Sequence, residues 1–197
     1  MLNTDGANPS NLDKEGLGGL IRDHNREWVV GYMECTSLTT PLHAEFKALL
    51  RGLRIASTMF IKPLTICTYS KELVNTITYG HDLYANLISE CRSLLQVLET
   101  AGINHIFREQ NKVADSFAKE GSKLRQLCTP IVLSCPPAST VPLVEADKKG
   151  KVFARLINPS ILDLHSRDVA YANSTNPPLA NTSSGAVAAS TVTHVFP

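Results

Sequence analysis

The chain has 197 residues, a formal net charge of +1, 43% hydrophobic and 19% charged side chains, which suffices for one full core. The near-zero charge excludes a global basic field, so any nucleic-acid surface is local. Cys35, Cys67, Cys91, Cys128 and Cys135 show no CxxC spacing and are odd in number, which disfavours a zinc site and a disulfide framework and fits reduced thiols.

No apolar run reaches the ~18 to 20 residues of a membrane span. The opening Met1-Leu2-Asn3-Thr4-Asp5-Gly6 has no basic or apolar leader region. The expectation is an intracellular protein of nucleus or cytoplasm, monomeric and without a membrane partner. The sequons at Asn173-Ser174-Thr175 and Asn181-Thr182-Ser183 then read as chance matches.

In chain order, Leu2 to Thr4 reads as the end of a strand closing at Asp5-Gly6, clipped at its front. Leu17 to Arg22 and Glu27 to Met33 are β-rich runs joined by Asp23-His24-Asn25-Arg26, a hairpin in which Trp28 is a core residue. Thr40-Pro41 opens a helix, with Thr40 as N-cap. Leu42, Phe46, Leu49, Leu53 and Ala56 form its apolar stripe, and Ala44, Ala48 and Gly52 a small-residue face suited to close packing on a sheet. Glu45 lies between these faces; alone it reads as a capping residue or a complement to the helix dipole.

Leu64 to Thr68 is a compact strand, and Ser70 caps a helix over Lys71 to Thr78. A further helix runs from about Leu83 to Thr100 and ends at Gly102. Asn104 to Phe107 is a strand, followed by a charged turn and a helix with Asn111 as N-cap, placing Asp115 about one turn inside. The order β-β-β-α-β-α-β-α contains strand-helix-strand crossovers, which require parallel pairing. The predicted fold is α/β, with a five-stranded mixed sheet flanked by helices. It occupies residues 1–125. Prolines interrupt 126–157, a partly ordered extension with short pieces at Leu143 to Asp147 and Val152 to Leu156. Residues 158–197 are Ser/Thr/Ala/Asn-rich and read as a disordered tail.

Four pieces in this order resemble the type-1 ribonuclease H fold: Asn3-Thr4-Asp5-Gly6-Ala7, Ala44-Glu45 with Ala48-Leu49, Thr68-Tyr69-Ser70, and Asn111-Lys112-Val113-Ala114-Asp115 followed by Phe117-Ala118. The wording is similar to the ribonuclease H-like modules of plant non-LTR retrotransposons. Gly18-Gly19-Leu20-Ile21-Arg22-Asp23 with Trp28, and His105 through Asn111, belong to that resemblance. It covers about residues 1–125. It implies hydrolysis of the RNA strand of an RNA–DNA hybrid with two Mg²⁺ ions, roughly 3.5–4 Å apart, that clamp attacking water and leaving oxygen. Mg²⁺ takes hard oxygen ligands, so such a site needs carboxylates from several elements. Carried over, Asp5 bridges both ions, Glu45 holds one and Asp115 serves the second.

The fourth ligand position departs from the family pattern: the middle residue of Thr68-Tyr69-Ser70 is a tyrosine instead of aspartate. A neutral phenol, with an ordinary pKa of about 10, does not replace a carboxylate ligand at pH 7. The Asn-Pro-Gly turn usual after the first strand is also changed, to Asn11-Leu12-Asp13. The expectation is impaired catalysis. A non-cleaving hybrid-binding module, or a domesticated protein-interaction domain, remains as the alternative. His105 reads as a packing or surface residue and His43 as solvated. Lys47, Arg51 and Arg54 line one side of the first helix, facing either solvent or a hybrid backbone.

Overall fold

The computed structural model describes residues 1–7 and 13–149. The altered turn at Asn11-Leu12-Asp13 is therefore described only at Asp13, and the expected piece at Val152 to Leu156 and the tail from 158 lie outside the described residues.

The sheet is built around a long hairpin. Strands β2 (Lys14–Arg22) and β3 (Trp28–Ser37) pair antiparallel along nearly their whole length. The turn between them is closed by the Asp23 carboxylate, whose Oδ1 accepts from the backbone N–H of Asn25 and of Glu27, both at 2.8 Å. An aspartate that satisfies the backbone two residues on is the local reason the chain reverses here. Strand β1 (Leu2–Ala7) pairs antiparallel with β2. It runs beyond the expected end at Asp5-Gly6, and Asp5 sits inside it opposite Gly18.

Strands β4 (Ile66–Thr68) and β5 (Ile103–His105) add in parallel, β4 on β1 and β5 on β4. The sheet has six strands, not five: β6 (Ile131–Leu133) lies antiparallel on β3, giving the order β5-β4-β1-β2-β3-β6. Three residues between prolines carry no readable alternation, which is why this strand is invisible in the sequence.

Helix α1 (Pro41–Thr58) begins as expected, with Thr40 Oγ1 accepting from His43 N at 3.3 Å and Pro41 at the first position. Its stripe of Leu42, Phe46, Leu49, Leu53 and Ala56 is buried. It packs with Leu2, Ile21, Tyr32 and Ile66 of the sheet, and with residues of α2 (Lys71–Tyr79) and α3 (Ala85–Val97), in one large core. Ser70 caps α2 as expected, accepting from Leu73 N at 3.2 Å. Helix α3 is shorter than expected at both ends: a 3-10 turn, Asp82–Tyr84, takes its first residues, and Leu98 caps it before Thr100.

Helix α4 (Lys112–Gly121) covers the opposite face of the sheet. There Val113, Ala114 and Phe117 pack with Leu20 of β2, Val144 of α5 (Val141–Lys148), and Trp28, whose ring meets Phe117 edge-on at 5.8 Å. Close approach of α4 needs a bare backbone below it. A Cβ on Gly18 would lie 2.2 Å from Ala118 N and 2.6 Å from Phe117 C. Among the described residues no helix is long and apolar enough to cross a membrane.

Candidate active site

Three elements deliver the predicted acids to one end of the sheet. The parallel register of β1 and β4, Leu2 with Ile66 and Asn3 with Cys67, carried two residues on, brings Tyr69 level with Asp5. Helix α1 approaches β1 at Gly6, where a Cβ would sit 2.9 Å from Ala44 C and 3.0 Å from Glu45 N. That contact puts Glu45 beside the strand, and its carboxyl accepts from the Gly6 N–H. Asp115 lies in the first turn of α4, its N–H bonded to Asn111 O at 3.0 Å.

Asp5 is 1% exposed and Glu45 4%. Burial, then the neighbouring Glu45 and Asp115 charges, push the Asp5 carboxyl up to about 8, against the pull of Arg108 and a hydrogen bond from Tyr69. Burial raises Glu45 to about 7, opposed by hydrogen bonds from Tyr69 and Gly6 and by Arg108. The Tyr69 phenol is itself driven upward, first by burial and then by the two acids, so it stays neutral beside them. Asp115 is engaged differently: Oδ1 accepts from Arg108 Nη2 at 3.2 Å and Oδ2 from Lys119 Nζ at 2.5 Å. The Arg108 guanidinium also lies over the Tyr69 ring.

These groups feel one another, yet among the described residues no three His, Cys, Asp or Glu side chains form a metal-holding group. Asp5 Oδ1 and Glu45 Oε2 are buried without a hydrogen-bond partner, which suits a cation. Against that, both Asp115 oxygens are taken by cationic side chains and the fourth position holds a phenol. The donor set as it stands does not fit a cage for two Mg²⁺ ions.

The remaining predicted residues are occupied elsewhere. Arg51 makes a two-pronged bond to Glu34, Nε to Oε2 at 2.6 Å and Nη2 to Oε1 at 2.9 Å. Lys47 donates to Thr36 Oγ1 at 3.0 Å and Arg54 pairs with Glu90. The expected basic face of α1 is thus largely turned to intramolecular partners. His43 is partly buried and meets the Tyr84 ring edge-on, and burial lowers its pKa. His105 is exposed, with Nε2 3.0 Å from Tyr69 O.

Two contributors escape the sequence. Arg108 figures there only as part of a charged turn. Asn111 reads as a helix cap, but its side chain does not cap α4; it reaches across to β1, where Nδ2 donates to Thr4 O at 2.9 Å.

The profile of the reverse transcriptase-like family matches residues 3–121. The chain belongs to this family, a ribonuclease H-type domain. The domain is 28% identical over 121 residues to an Arabidopsis thaliana protein whose name places it with the ribonuclease H proteins, a stretch that is 59% of this chain and 19% of that protein. Its fold is similar to that of ribonuclease H1 from Halobacterium salinarum, at TM-score 0.57 and 21% identity, over 62% of this chain and 96% of the other. The N-terminal ribonuclease H domain of a Mycobacterium tuberculosis protein matches at TM-score 0.55 and 19% identity, over 62% and 91%. LC11 ribonuclease H1, solved in complex with an RNA/DNA hybrid, matches at 0.55 and 20%, over 62% and 95%.

Proposed function

We propose that this reverse transcriptase-like domain binds RNA–DNA hybrid and is impaired in the Mg²⁺-dependent cleavage of its RNA strand. The observation that carries the reading is the placement of Tyr69. From the position where the family pattern has a carboxylate, a neutral phenol faces Asp5 and Glu45 and acts on the titration of both. The guanidinium of Arg108, held by Asp115, adds positive charge to the same acids. Losing a partner that merely orients a metal ligand typically lowers affinity or activity by about 10–100-fold, and losing a ligand lowers it further. Hybrid recognition does not need the ions: A-form-like geometry and 2′-hydroxyls are read across a wide minor groove, with affinity that falls as salt rises. Fold similarity to a protein solved with a hybrid supports the same reading.

The test is cleavage of an end-labelled hybrid in Mg²⁺ or Mn²⁺ by the full chain and by Tyr69→Asp, beside hybrid binding at several salt concentrations. The parent is expected to bind with salt-dependent affinity and cleave at least ~100-fold more slowly than Tyr69→Asp. Equal, robust cleavage by both removes the impairment. Absence of binding by both removes the nucleic-acid reading.

A further inference from the structure

The family match ends at residue 121, but the described structure continues to 149, and its last helix reaches back into the domain. Val144 of α5 is buried with Leu20, Val113 and Phe117. Beside it, Asp147 forms an ion pair with Arg22, a β2 side chain only 4% exposed. Through Nη2, Arg22 donates to Asn3 Oδ1 at 2.7 Å. Asn3 Nδ2 in turn donates to Asn111 Oδ1 at 3.1 Å, and Asn111 Nδ2 to Thr4 O at 2.9 Å. Asn3 and Asn111 are 2% and 1% exposed. Buried polar side chains are tolerated only when their bonds are made, and a connected set rigidifies what it links.

What it links is specific. Thr4 is the residue before Asp5, and the Asn111 carbonyl holds the N–H of Asp115. One asparagine therefore ties the backbone at one acid to the helical turn that carries another. We propose that Arg22, Asn3 and Asn111 are positioning residues, and that Asp147 completes them, so that α5 acts as a clamp holding β1 and the start of α4 in their relative placement. This rests on reading Asp5 and Asp115 as the site. Without Asp147 the Arg22 charge is left in the interior with an amide oxygen as its remaining described side-chain partner, an uncompensated arrangement that the guanidinium relieves by leaving Asn3. Lys148 of the same helix pairs with Glu27 outside this chain of contacts and supplies the control.

The experiment is native-state amide exchange with hybrid-binding measurements on the full chain, comparing Asp147→Asn, Asp147→Glu and Lys148→Ala with the parent. In Asp147→Asn, exchange at Asp115 and its first-turn neighbours is expected to quicken about tenfold while Tyr32, central in the hairpin, keeps its rate. Asp147→Glu and Lys148→Ala are expected to match the parent, and hybrid affinity to fall several-fold in Asp147→Asn alone. Parent-like exchange in Asp147→Asn, or quickening spread evenly over α4 and the hairpin, overturns the clamp. Should Asp147→Asn fail to fold, Arg22→Met combined with Asp147→Leu removes both charges together. Local quickening at Asp115 then supports the clamp and parent rates overturn it. If no variant and no parent binds hybrid, the nucleic-acid reading fails while the exchange pattern still decides the clamp.

Discussion

The guanidinium carbon of Arg108 lies 5.6 Å from the centre of the Tyr69 ring, and Nη2 of the same group donates to Asp115 Oδ1 at 3.2 Å. A single side chain from the turn before α4 thus joins the aromatic that replaces a carboxylate to one of the acids that remain. Because that side chain is 65% exposed, its pairing energy is screened, at most ~1 kcal/mol.

Arg108→Gln is expected to leave stability within ~1 kcal/mol of the parent at pH 5.5, where Asp5 and Glu45 are protonated. At pH 8.5 both acids ionise and the guanidinium that opposes their charge is gone, so the variant is expected to lose more. Urea unfolding at the two pH values checks this. An equal loss at both contradicts the coupling.

The pH dependence of the parent follows from the same acids. Asp5 is raised from 3.8 to about 8 and Glu45 from 4.5 to about 7, burial being the leading cause for each. Between these values the folded chain binds more protons than the unfolded one, so stability falls as pH rises. It is greatest below about pH 4 as far as these two groups are concerned, and their contribution is lost as pH climbs through about 8. Stability in chelator, followed by denaturant midpoints from pH 5 to 9, is expected to fall by a few kcal/mol. A tenfold change in proton affinity is worth ~1.4 kcal/mol, and coupling between the two acids reduces the sum. Asp5→Asn is expected to flatten the slope and to be the more stable protein at pH 8.5.

Gly18→Ala is expected to destabilise by roughly 1–3 kcal/mol or more, since the new methyl group meets backbone atoms of α4, which cannot swing aside like a flexible side chain. A melting temperature within about 1 °C of the parent would show that α4 lifts off β2 freely, against the packing described.

Arg51 and Glu34 test a buried carboxylate held by a half-buried guanidinium, at 4% and 24% exposure. Arg51→Met strands the Glu34 carboxylate and is expected to lower stability by about 3–5 kcal/mol. Adding Glu34→Leu is expected to restore most of it, as read by a double-mutant cycle of denaturant unfolding.

Local signals are legible in the sequence where a short segment satisfies its own backbone. Thr40-Pro41 and Ser70 name their helix starts because the capping oxygen bonds an N–H three residues on. The hairpin is readable through Asp23, and α1 through its stripe. What stays hidden depends on partners far along the chain. Glu34 and Glu90 take the guanidinium groups of Arg51 and Arg54, across separations of 17 and 36 residues. Asn111 looks like a cap because Asn caps helices often; its bond to Thr4 spans 107 residues, and no local pattern reports it. At the site, the acids are marked by motif, and Tyr69 by its departure from one. Arg108 is not, although an arginine seven residues before Asp115 is within reach once the intervening turn folds as 3-10 helix.

Strand β6 has a consequence for solubility. Ten-residue β3 would otherwise present a long row of unpaired peptide groups to any passing extended chain. With β6 laid over its middle, and β5 at the other margin, both outer strands of the described sheet are three residues long. Margins that short offer little template for another molecule's strand, and the segment that supplies one of them lies outside the stretch that the family profile matches.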